Sequence, residues 1–447
     1  MPEQRDRMFR ASLRRLVRRG AWGNAAKLLE KSHPVDIAEV LDRLTETDRK
    51  AVFHLIASDE VRAEVLALLE FAEGADLIGG LDSDAAARLI GRMPPDDAAS
   101  VLREIPRDRA DQILGAMGES AEDVESLLVY AEDTAGSIMS TEYVALPEDM
   151  AVKGAIEHIQ SQPPTEASFY VYVTDERSNL VGVLSLRQLI MQSPDKQLRD
   201  CMVANPIRAT TDTDQEEVAR LVARYDLLAL PVVDAANRLL GVITVDDVID
   251  VLREEATEDI LKMAGTTVEE VTQPNPLRGA WIRFPWLAAS FVGGCLGIAL
   301  LDRFEGVLAT TVQLAFFMPI ILGMGGNVAS QCAMVVVRGL STGRIELGSL
   351  GPNIARELGT GLILAVGFGA GLASLAVLTG YGPSAFPIVV GLGISASMLI
   401  AATLGTLLPL VFSRLGADPA VASGPVVTTT TDILGIAAFF LVAHLLL

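Results

Sequence analysis

The residue that most clearly could do chemistry is an aspartate inside a long apolar segment near the end of the chain. Four consecutive threonines, Thr428 to Thr431, precede Asp432, and no Lys or Arg occurs from Pro425 to Leu447. An ionisable residue at the centre of a membrane-spanning helix costs roughly 2.5–3.5 kcal/mol, so it usually faces a polar cavity or a partner. A carboxylate beside hydroxyl oxygens suits a hard cation, which binds oxygen ligands directly or through its own hydration shell.

A structural role is the alternative interpretation of Asp432, either as a helix cap or as a neutral packing residue. Pro425 suits the first turn of a helix, which leaves Asp432 about two turns in, too deep for a cap. We therefore interpret Asp432 as a permeation residue, with Thr428 and Thr431 as candidate pore-lining neighbours.

A second group that could do chemistry is a run of acids in the middle of the chain. Its members are Asp212, Asp214, Glu216, Glu217, Asp226, Asp246, Asp247, Asp250, Glu254, Glu255, Glu258 and Asp259. The spacing of Asp247, Asp250 and Glu254 puts three carboxylates on one helix face, where like charges repel unless solvent or a cation screens them. Both a solvated surface and a divalent-cation site remain open.

Charge is distributed very unevenly over the 447 residues, whose net charge is −21. Residues 1–276 hold 29 Lys and Arg against 51 Asp and Glu, whereas residues 277–447 hold seven against six. An acidic soluble part is thus joined to a nearly uncharged membrane part. The acidity argues against nucleic acid, whose phosphates it would repel, and favours cations, although an acidic surface also serves solubility.

Catalysis has no candidate residues in this sequence. The three cysteines and four histidines are dispersed, which supports neither a disulfide framework nor a zinc site. No Walker motif or nucleophile elbow occurs, so we expect no enzyme. The basic stretch from Arg5 to Arg19 lacks the apolar core of a signal peptide, which predicts a cytoplasmic soluble part.

The elements that position the acids follow two patterns. Residues 1–130 read as short helices in units of about 12–13 residues, which predicts an α-helical, solenoid-like N-domain. Residues 138–200 and residues 201–256 repeat the same order of elements. Each repeat begins with a Met, which is followed by a short strand and a helix. A second strand comes next, at Ser168–Thr174 in the first repeat and at Leu228–Asp234 in the second, and then a third strand that contains Gly182 or Gly241 and leads into a helix. This duplication looks like a tandem CBS pair with an α/β fold.

A nucleotide site in the CBS pair is supported only in its second repeat. Thr244 and Asp247 fit the [ST]-x-x-D pattern with which CBS pairs hold ribose hydroxyls, but in the first repeat Gln188 follows Ser185 in place of the acid. ATP is therefore a weakly supported ligand, and a purely structural, dimerising pair is the alternative.

The last part of the chain predicts an all-α transmembrane domain. Residues 257–276 are expected to continue as a connecting helix that breaks at Pro274 and Pro276. Five spans follow, at about 281–301, 307–337, 355–379, 386–412 and 424–446, each long enough to cross a bilayer. The second is overlong and is expected to bend or break at Gly323–Asn327. Arginines flanking the spans put the N-terminus inside and the C-terminus outside, in a multi-pass protein of the cell membrane.

This multidomain arrangement resembles the MgtE family of magnesium channels. The motifs that carry the resemblance are Thr211–Leu221, Pro231–Asp234, Thr244–Val248, Glu254–Ile260 and Pro319–Gln331. The resemblance implies a homodimer in the lipid membrane with one pore, in which Asp432 of each subunit holds a largely hydrated Mg²⁺. It also makes Asn327, in the second span, the group that faces Asp432.

The resemblance further implies that intracellular Mg²⁺ closes the pore by bridging acidic cytosolic domains and the connecting helix. The positions it assigns to regulatory Mg²⁺, together with neighbouring acids, are Asp96, Asp97, Gly136, Asp214, Glu216, Ala223, Asp226, Asp246, Asp247, Asp250, Glu254, Glu255, Glu258 and Asp259. Gly136 and Ala223 would contribute backbone carbonyls.

Two departures from the family pattern keep alternatives open. The second span reads Gly325-Gly-Asn-Val-Ala-Ser-Gln331, without the usual second Gly-Asn, and Gly424 stands where Asn is common. A broader channel or exporter for Mg²⁺, Co²⁺, Mn²⁺ or Ca²⁺ is the first alternative. A membrane-tethered nucleotide sensor built on the CBS pair is the second.

Overall fold

The computed structural model describes residues 2–161, 169–268, 270, 275–345 and 350–447. Ser168 of the predicted strand and Pro274 of the predicted helix break lie outside the described residues. The chain divides into two compact units, Met1–Val251 and Leu252–Leu447.

Short helices fill the first part of the N-terminal unit. They are α1 (Pro2–Arg18), α2 (Trp22–Leu29), α3 (Pro34–Leu41), α4 (Glu46–Phe53), α5 (Asp59–Ala67), α6 (Phe71–Gly79), α7 (Ser83–Ile90), α8 (Pro95–Arg103), α9 (Arg107–Met117) and α10 (Ala121–Leu128). Polar side chains cap the starts of several of these helices. For example, Asp82 Oδ1 accepts a hydrogen bond from the Ala85 amide at 2.8 Å and fixes the start of α7.

These helices stack in alternation, as expected of a solenoid. Helix α3 packs on α5, α5 on α7 and α7 on α9, while α6 packs on α8 and α8 on α10. Apolar side chains from successive helices thereby bury one another, as Ile37, Leu66 and Ile90 do with less than 1% exposure. The predicted solenoid-like fold is confirmed.

Two similar sheets follow in the same unit, connected by short helices. The elements are β1 (Val144–Pro147), α11 (Val152–Ser161), β2 (Tyr170–Thr174), β3 (Leu180–Ser185), α12 (Leu186–Ile190), β4 (Val203–Ala204), β5 (Ala209–Thr210), α13 (Gln215–Tyr225), β6 (Ala229–Val233) and β7 (Leu239–Thr244). In each sheet a parallel pair (β1 with β2, β5 with β6) is extended by an antiparallel strand (β3 or β7). The predicted duplication is therefore present in the topology.

The two repeats interlock through the residues that open them. A Cβ on Gly182 of the first repeat would lie 2.3 Å from the sulfur of Met202, which opens the second. Reciprocally, a Cβ on Gly241 would lie 2.8 Å from the sulfur of Met139, which opens the first. Both repeated glycines are thus required because a methionine from the other repeat packs directly on their backbone.

Helix α14 (Val245–Met263) leads out of the second repeat. The expected continuous helix over 257–276 is wrong, because α14 ends at Met263 and Gly265 adopts a positive φ of 75°. The amide of Gly265 donates to the Lys262 carbonyl at 3.0 Å and that of Thr266 to the Leu261 carbonyl at 3.0 Å. These two bonds form a Schellman cap, which a left-handed glycine permits.

Long apolar helices make up the rest of the C-terminal unit. They are α15 (Pro276–Asp302), the short α16 (Glu305–Thr310), α17 (Leu314–Ser341), α18 (Gly351–Thr379), α19 (Phe386–Arg414), the short α20 (Pro419–Ser423) and α21 (Pro425–Leu446). The five long ones have the length and composition to cross a membrane. Helix α19 packs against α17, α18 and α21, and α15 packs against α21, so α19 forms the centre of this unit.

The second span breaks at a different place from the one expected. Helix α17 is continuous through Gly323–Asn327, and the interruption lies at Thr311, between α16 and α17, where φ is −140° and ψ is 73°. Glycine inside a membrane helix need not break it, because the backbone satisfies its own hydrogen bonds. Gly325 instead allows close packing, since a Cβ there would lie 3.0 Å from Ser397 Oγ.

Small residues bring the spans together at a few closely packed positions. Gly293 faces Thr429 and Gly391 faces Gly369, but Gly367 and Gly371 have no atom within 4 Å of a Cβ built on them. Because Gly369 lies between these two, on another side of the helix, α18 packs closely through the face that carries Gly369.

Candidate cation site

Asp432 lies on α21 with its carboxylate unpartnered by protein. It is the eighth residue of a helix that begins at Pro425 and is half-buried. Within the described part of the chain, its side chain makes no hydrogen bond or ion pair with another residue. An acid so placed retains both oxygens for a ligand or its water.

Three of the four threonines before Asp432 direct their hydroxyl protons to the backbone, whereas Thr429 Oγ1 donates to Ser290 Oγ at 3.3 Å. Thr430 Oγ1 donates to the Val426 carbonyl at 2.7 Å, and Thr428 Oγ1 donates to the Pro425 carbonyl at 3.2 Å. Thr431 Oγ1 donates to the Val427 carbonyl. With its proton engaged, each hydroxyl oxygen still offers lone pairs as an acceptor, which suits a cation or the waters around it.

The structure separates the two threonines predicted to line a pore. Thr431 is 1% exposed, and its methyl lies 3.9 Å from a Cβ built on Gly325, so it packs between α21 and α17. Thr428 lies at a cavity of 260 Å³ at the start of α21, which is lined by Met263, Ser290, Ser330, Met334, Gly424, Pro425 and Thr428. Serine and threonine hydroxyls converge there with two thioethers.

Asn327, predicted to face Asp432, is exposed on α17. Asn327 lies two residues after Gly325, which faces Ser397 and Thr431. Residues two positions apart on a helix point to nearly opposite sides, so Asn327 points away from that packed face. No described contact joins Asn327 to Asp432 within this single chain.

The end of α14 is held against the region where α21 begins. Lys262 Nζ lies 2.7 Å from Asp418 Oδ2 and 2.6 Å from Glu258 Oε1. Burial alone would lower the pKa of Lys262, but its hydrogen bonds to these two carboxylates hold that pKa above its usual value. Asp418 also caps α20, because its Oδ1 accepts from the Ala420 amide at 2.8 Å.

Further contacts hold the C-terminal end of α14 in place. Asp259 Oδ2 accepts a hydrogen bond from Ser341 Oγ, at the end of α17, at 2.8 Å, and burial raises the pKa of Asp259. A Cβ on Gly424 would lie 2.8 Å from the Met263 carbonyl oxygen. Gly424, one of the two departures in sequence, is therefore the residue on which the last turn of α14 rests.

Among the predicted regulatory acids, Asp96 and Asp247 are brought together in the N-terminal unit. Asp96 is 8% exposed. Asp247 Oδ2 accepts from the Thr244 hydroxyl at 2.5 Å and from its amide at 3.2 Å. Burial, and then the charge of Asp96, raise the pKa of Asp247 to about 7. Two carboxylates crowded in this way attract a proton or a cation.

The other predicted positions occupy element ends and exposed faces. Asp214 caps α13 by accepting from the Glu216 amide at 2.9 Å, and Asp226 ends that helix with φ of 51°. Gly136 donates its amide to the Thr211 carbonyl at 2.9 Å. The exposed ones are Ala223, Asp246, Asp250 and Glu254, whereas Asp97, Glu255, Glu258 and Asp259 are half-buried.

These acids do not converge on one point in the structure. Across the described ranges, no group of three or more His, Cys, Asp or Glu side chains is arranged to hold a metal ion. Asp96 and Asp247 do lie near enough for the charge of Asp96 to raise the pKa of Asp247, and their oxygen donors are of the type that Mg²⁺ accepts.

Three residues of this region were missed in the sequence. Lys262 stands four positions after Glu258, a spacing that predicts an ion pair on a helix. Asp418 before Pro419 is a typical helix-start signal. Glu357, the seventh residue of α18, is a second carboxylate within a spanning helix; it is 8% exposed and pairs with Arg356 at 3.3 Å.

Comparison with known proteins places the chain in one family. A model of the divalent cation transporter family, MgtE, matches residues 318–442, and its intracellular N domain matches 32–133. CBS domains match residues 135–194 and 198–254. The magnesium transporter MgtE of Thermus thermophilus is 40% identical over 328 residues, 73% of this chain and 72% of that one. The chain belongs to the MgtE family.

Further MgtE relatives agree in extent and in fold. The Bacillus subtilis magnesium transporter MgtE is 37% identical over 321 residues, 72% of this chain and 71% of that one. The solved soluble part of a magnesium transporter matches with 30% identity and a TM-score of 0.50, covering 56% of this chain and 99% of that one. The MgtE resemblance and the multidomain fold class predicted from sequence are therefore confirmed.

One solved MgtE structure bears on the predicted nucleotide site. It is the cytosolic domain of the Mg²⁺ channel MgtE in complex with ATP, 36% identical with a TM-score of 0.50, covering 54% of this chain and 99% of that one. The ATP complex is a property of that protein.

Proposed function

We propose that this protein is a magnesium channel of the cell membrane, with Asp432 as the carboxylate that attracts the ion in its path. The half-buried Asp432, unpartnered in the described chain, is the observation that carries the proposal. Five long apolar helices supply a membrane domain, and relatives 36–40% identical are named magnesium transporters. Those names favour Mg²⁺ over the broader divalent range.

Mg²⁺ is the transported ion in this proposal. It dehydrates reluctantly and keeps several waters, so the Asp432 oxygens would accept hydrogen bonds from its hydration shell. The oxygen of Thr428, whose proton points to the Pro425 carbonyl, can accept from the same waters. Thr431 is enclosed by packing and is better suited to holding α21 against α17.

A homodimer with one pore between its subunits follows from the family resemblance. Two copies of Asp432 across a two-fold axis would share the charge of one hydrated ion, which a single carboxylate balances only in part. The positive-inside bias of the flanking arginines supports an orientation with the N-terminus in the cytoplasm and the C-terminus outside.

Closure by intracellular Mg²⁺ is the regulatory half of the proposal. Asp96 and Asp247, whose crowding raises the pKa of Asp247 to about 7, would hold the regulatory ion together with acids of α13 and α14. A divalent charge there would offset their repulsion and favour the conformation in which the acids lie close. The seated end of α14, at Asp259, Lys262 and Met263, would then keep the start of α21 fixed.

ATP is a second ligand that one relative's complex supports. Thr244 and Asp247, the pair predicted to contact a ribose, lie within hydrogen-bonding distance of each other at 2.5 Å. Because Asp247 is also a proposed regulatory acid, nucleotide and Mg²⁺ would affect each other's binding through this residue.

The proposal is tested by uptake into liposomes that contain the purified protein. We expect Mg²⁺ uptake that falls as Mg²⁺ on the cytoplasmic side rises to millimolar levels, and weaker competition from Ca²⁺ than from Mn²⁺ or Co²⁺. Equal uptake of all four ions would replace the magnesium channel with the broader divalent channel. No cation uptake, with ATP binding intact, would favour the nucleotide sensor.

A further inference from the structure

The first helix of the chain concentrates positive charge in an otherwise acidic protein. Seven arginines and one aspartate lie between Arg5 and Arg19, whereas residues 1–276 as a whole carry 22 more acids than bases. Leu13 and Val17 are buried, at 0% and 5% exposure, and dock α1 (Pro2–Arg18) on the helices that follow. The apolar face of α1 is thus used within the protein, and its arginines are left to the other faces.

Three arginines surround a cavity between α1 and α3 (Pro34–Leu41). The cavity has a volume of 320 Å³ and is lined by Arg10, Ala11, Arg14, Glu39, Val40 and Arg43. Arg10 Nη1 donates to Glu39 Oε2 at 2.5 Å, and Arg14 Nη2 donates to the Arg43 carbonyl at 3.2 Å. Two guanidinium groups are therefore held in place by α3 and the turn after it.

Positive charge is in excess in this cavity. Among the residues that line the cavity, three are arginines and one is an acid, Glu39, which pairs with Arg10. The Arg43 guanidinium is exposed and, among the residues that the structure describes, has no hydrogen-bond or ion-pair partner. Like charges gathered around one small volume repel one another, and an anion placed among them removes that cost.

We propose that this arginine-lined cavity binds a phosphate group. Guanidinium presents parallel N–H donors that match the oxygens of phosphate, and several guanidinium groups balance a charge near −2 better than that of a carboxylate. The cavity is large enough for a phosphate with its bound waters. It is separate from the acids proposed for Mg²⁺, which would repel a phosphate.

Two sources offer this chemistry: the headgroup of an anionic phospholipid and a soluble phosphate. They are distinguished by probes applied to the full-length protein. Inorganic phosphate, titrated in detergent solution, tests the soluble source. Nanodiscs containing phosphatidic acid, compared with nanodiscs of phosphatidylcholine alone, test the lipid source through protection of α1 from protease.

Substitutions of Arg43 and Glu39 should change the affinity for phosphate in opposite directions. Arg43→Gln removes one guanidinium and leaves intact the backbone carbonyl that holds Arg14, so affinity for the probe should fall about tenfold, as for a lost charge-assisted hydrogen bond. Glu39→Gln removes the competing carboxylate and should tighten binding severalfold. Arg15→Gln, an exposed change of equal charge on the same helix outside the cavity lining, should change affinity less than twofold.

Saturable binding of either probe, with these three effects and unchanged melting temperatures, supports the phosphate site and identifies its source. The proposal is overturned if neither probe binds, if Arg43→Gln and Arg15→Gln weaken binding equally, or if Glu39→Gln also weakens it. The test uses no ion flux, so it stands or falls apart from the proposed channel function.

Discussion

One carboxylate, that of Asp418, links the end of α14 to the start of the Asp432 helix. Its Oδ2 lies 2.7 Å from Lys262 Nζ, while its Oδ1 caps α20 (Pro419–Ser423) through the Ala420 amide. Only Gly424 separates α20 from Pro425, the first residue of α21. Lys262 is therefore joined to the helix that carries Asp432 through one short, capped segment.

In the proposed Mg²⁺-closed channel, loss of this ion pair should make closure less favourable. Both side chains are about one-third exposed, and such pairs contribute up to about 1 kcal/mol, or about fivefold in a closed-to-open ratio. Lys262→Gln and Asp418→Asn, the latter retaining a capping side chain, should each raise Mg²⁺ flux at millimolar cytoplasmic Mg²⁺ by about two- to fivefold.

The double variant separates a shared contact from two independent effects. If Lys262 and Asp418 act through each other, combining both changes should add little to either one. Lys153→Gln, which breaks the exposed Lys153–Glu157 pair, should leave flux unchanged. Fully additive effects in the double variant would contradict the link between the two residues.

Close packing at the centre of the membrane unit should make Gly405 intolerant of a side chain. A Cβ there would lie 2.3 Å from the Ala329 carbonyl oxygen, a backbone atom that cannot rotate away. Gly405→Ala should cost about 1–3 kcal/mol through overpacking, seen as a lower melting temperature in detergent. Gly371→Ala is the matched control, since nothing lies within 4 Å of a Cβ at Gly371; equal losses in both variants would refute this packing.

The stability of the N-terminal unit should depend on pH through Asp247. Its folded-state pKa of about 7 exceeds the unfolded value of 3.8, so between these values the folded state retains a proton that the unfolded state has released. Folding is then most favoured by this group below about pH 4, and that contribution is lost as the pH rises to about 7. In the full-length protein, protease resistance of the unit should fall between pH 5 and pH 8.

Asp247→Asn should flatten this pH dependence, because an amide does not titrate. Asp149→Asn, an equal change of charge at an exposed residue of the same unit, should leave the slope as in the original protein. Magnesium at pH 8 should restore resistance in the original protein and not in Asp247→Asn. An unaltered slope in Asp247→Asn would remove Asp247 as the source.

Local pattern predicted the repeating parts of the fold well. Alternating apolar residues and the repeated glycines predicted both sheets of the CBS pair, and long uncharged segments predicted the five spans. The same reasoning failed at Gly323–Asn327 and over 257–276, because the effect of a glycine depends on the residues that pack against it in the folded protein. Gly325 is there to admit Ser397, and Gly265 ends a helix that charge and apolar spacing alone would have continued.

The candidate site was predictable only in part. Asp432 is visible in sequence because an acid in an apolar segment is costly wherever its neighbours lie. Lys262 and Asp418 belong to segments distant in sequence, so their pairing depends on tertiary structure. The enclosure of Thr431, and the exposure of Asn327 on another side of α17, likewise follow from helix packing that composition does not determine.

Mg²⁺ flux through an Asp432→Asn variant tests the central claim most directly. Asparagine keeps the size and hydrogen-bonding capacity of the side chain and removes its charge, so a hydrated divalent ion loses its electrostatic attraction at that point. Asp302→Asn, at the end of α15, is the matched loss of charge. We predict that Asp432→Asn folds and inserts normally but loses most of its Mg²⁺ uptake in liposomes, while Asp302→Asn keeps it; undiminished uptake in Asp432→Asn would contradict the account.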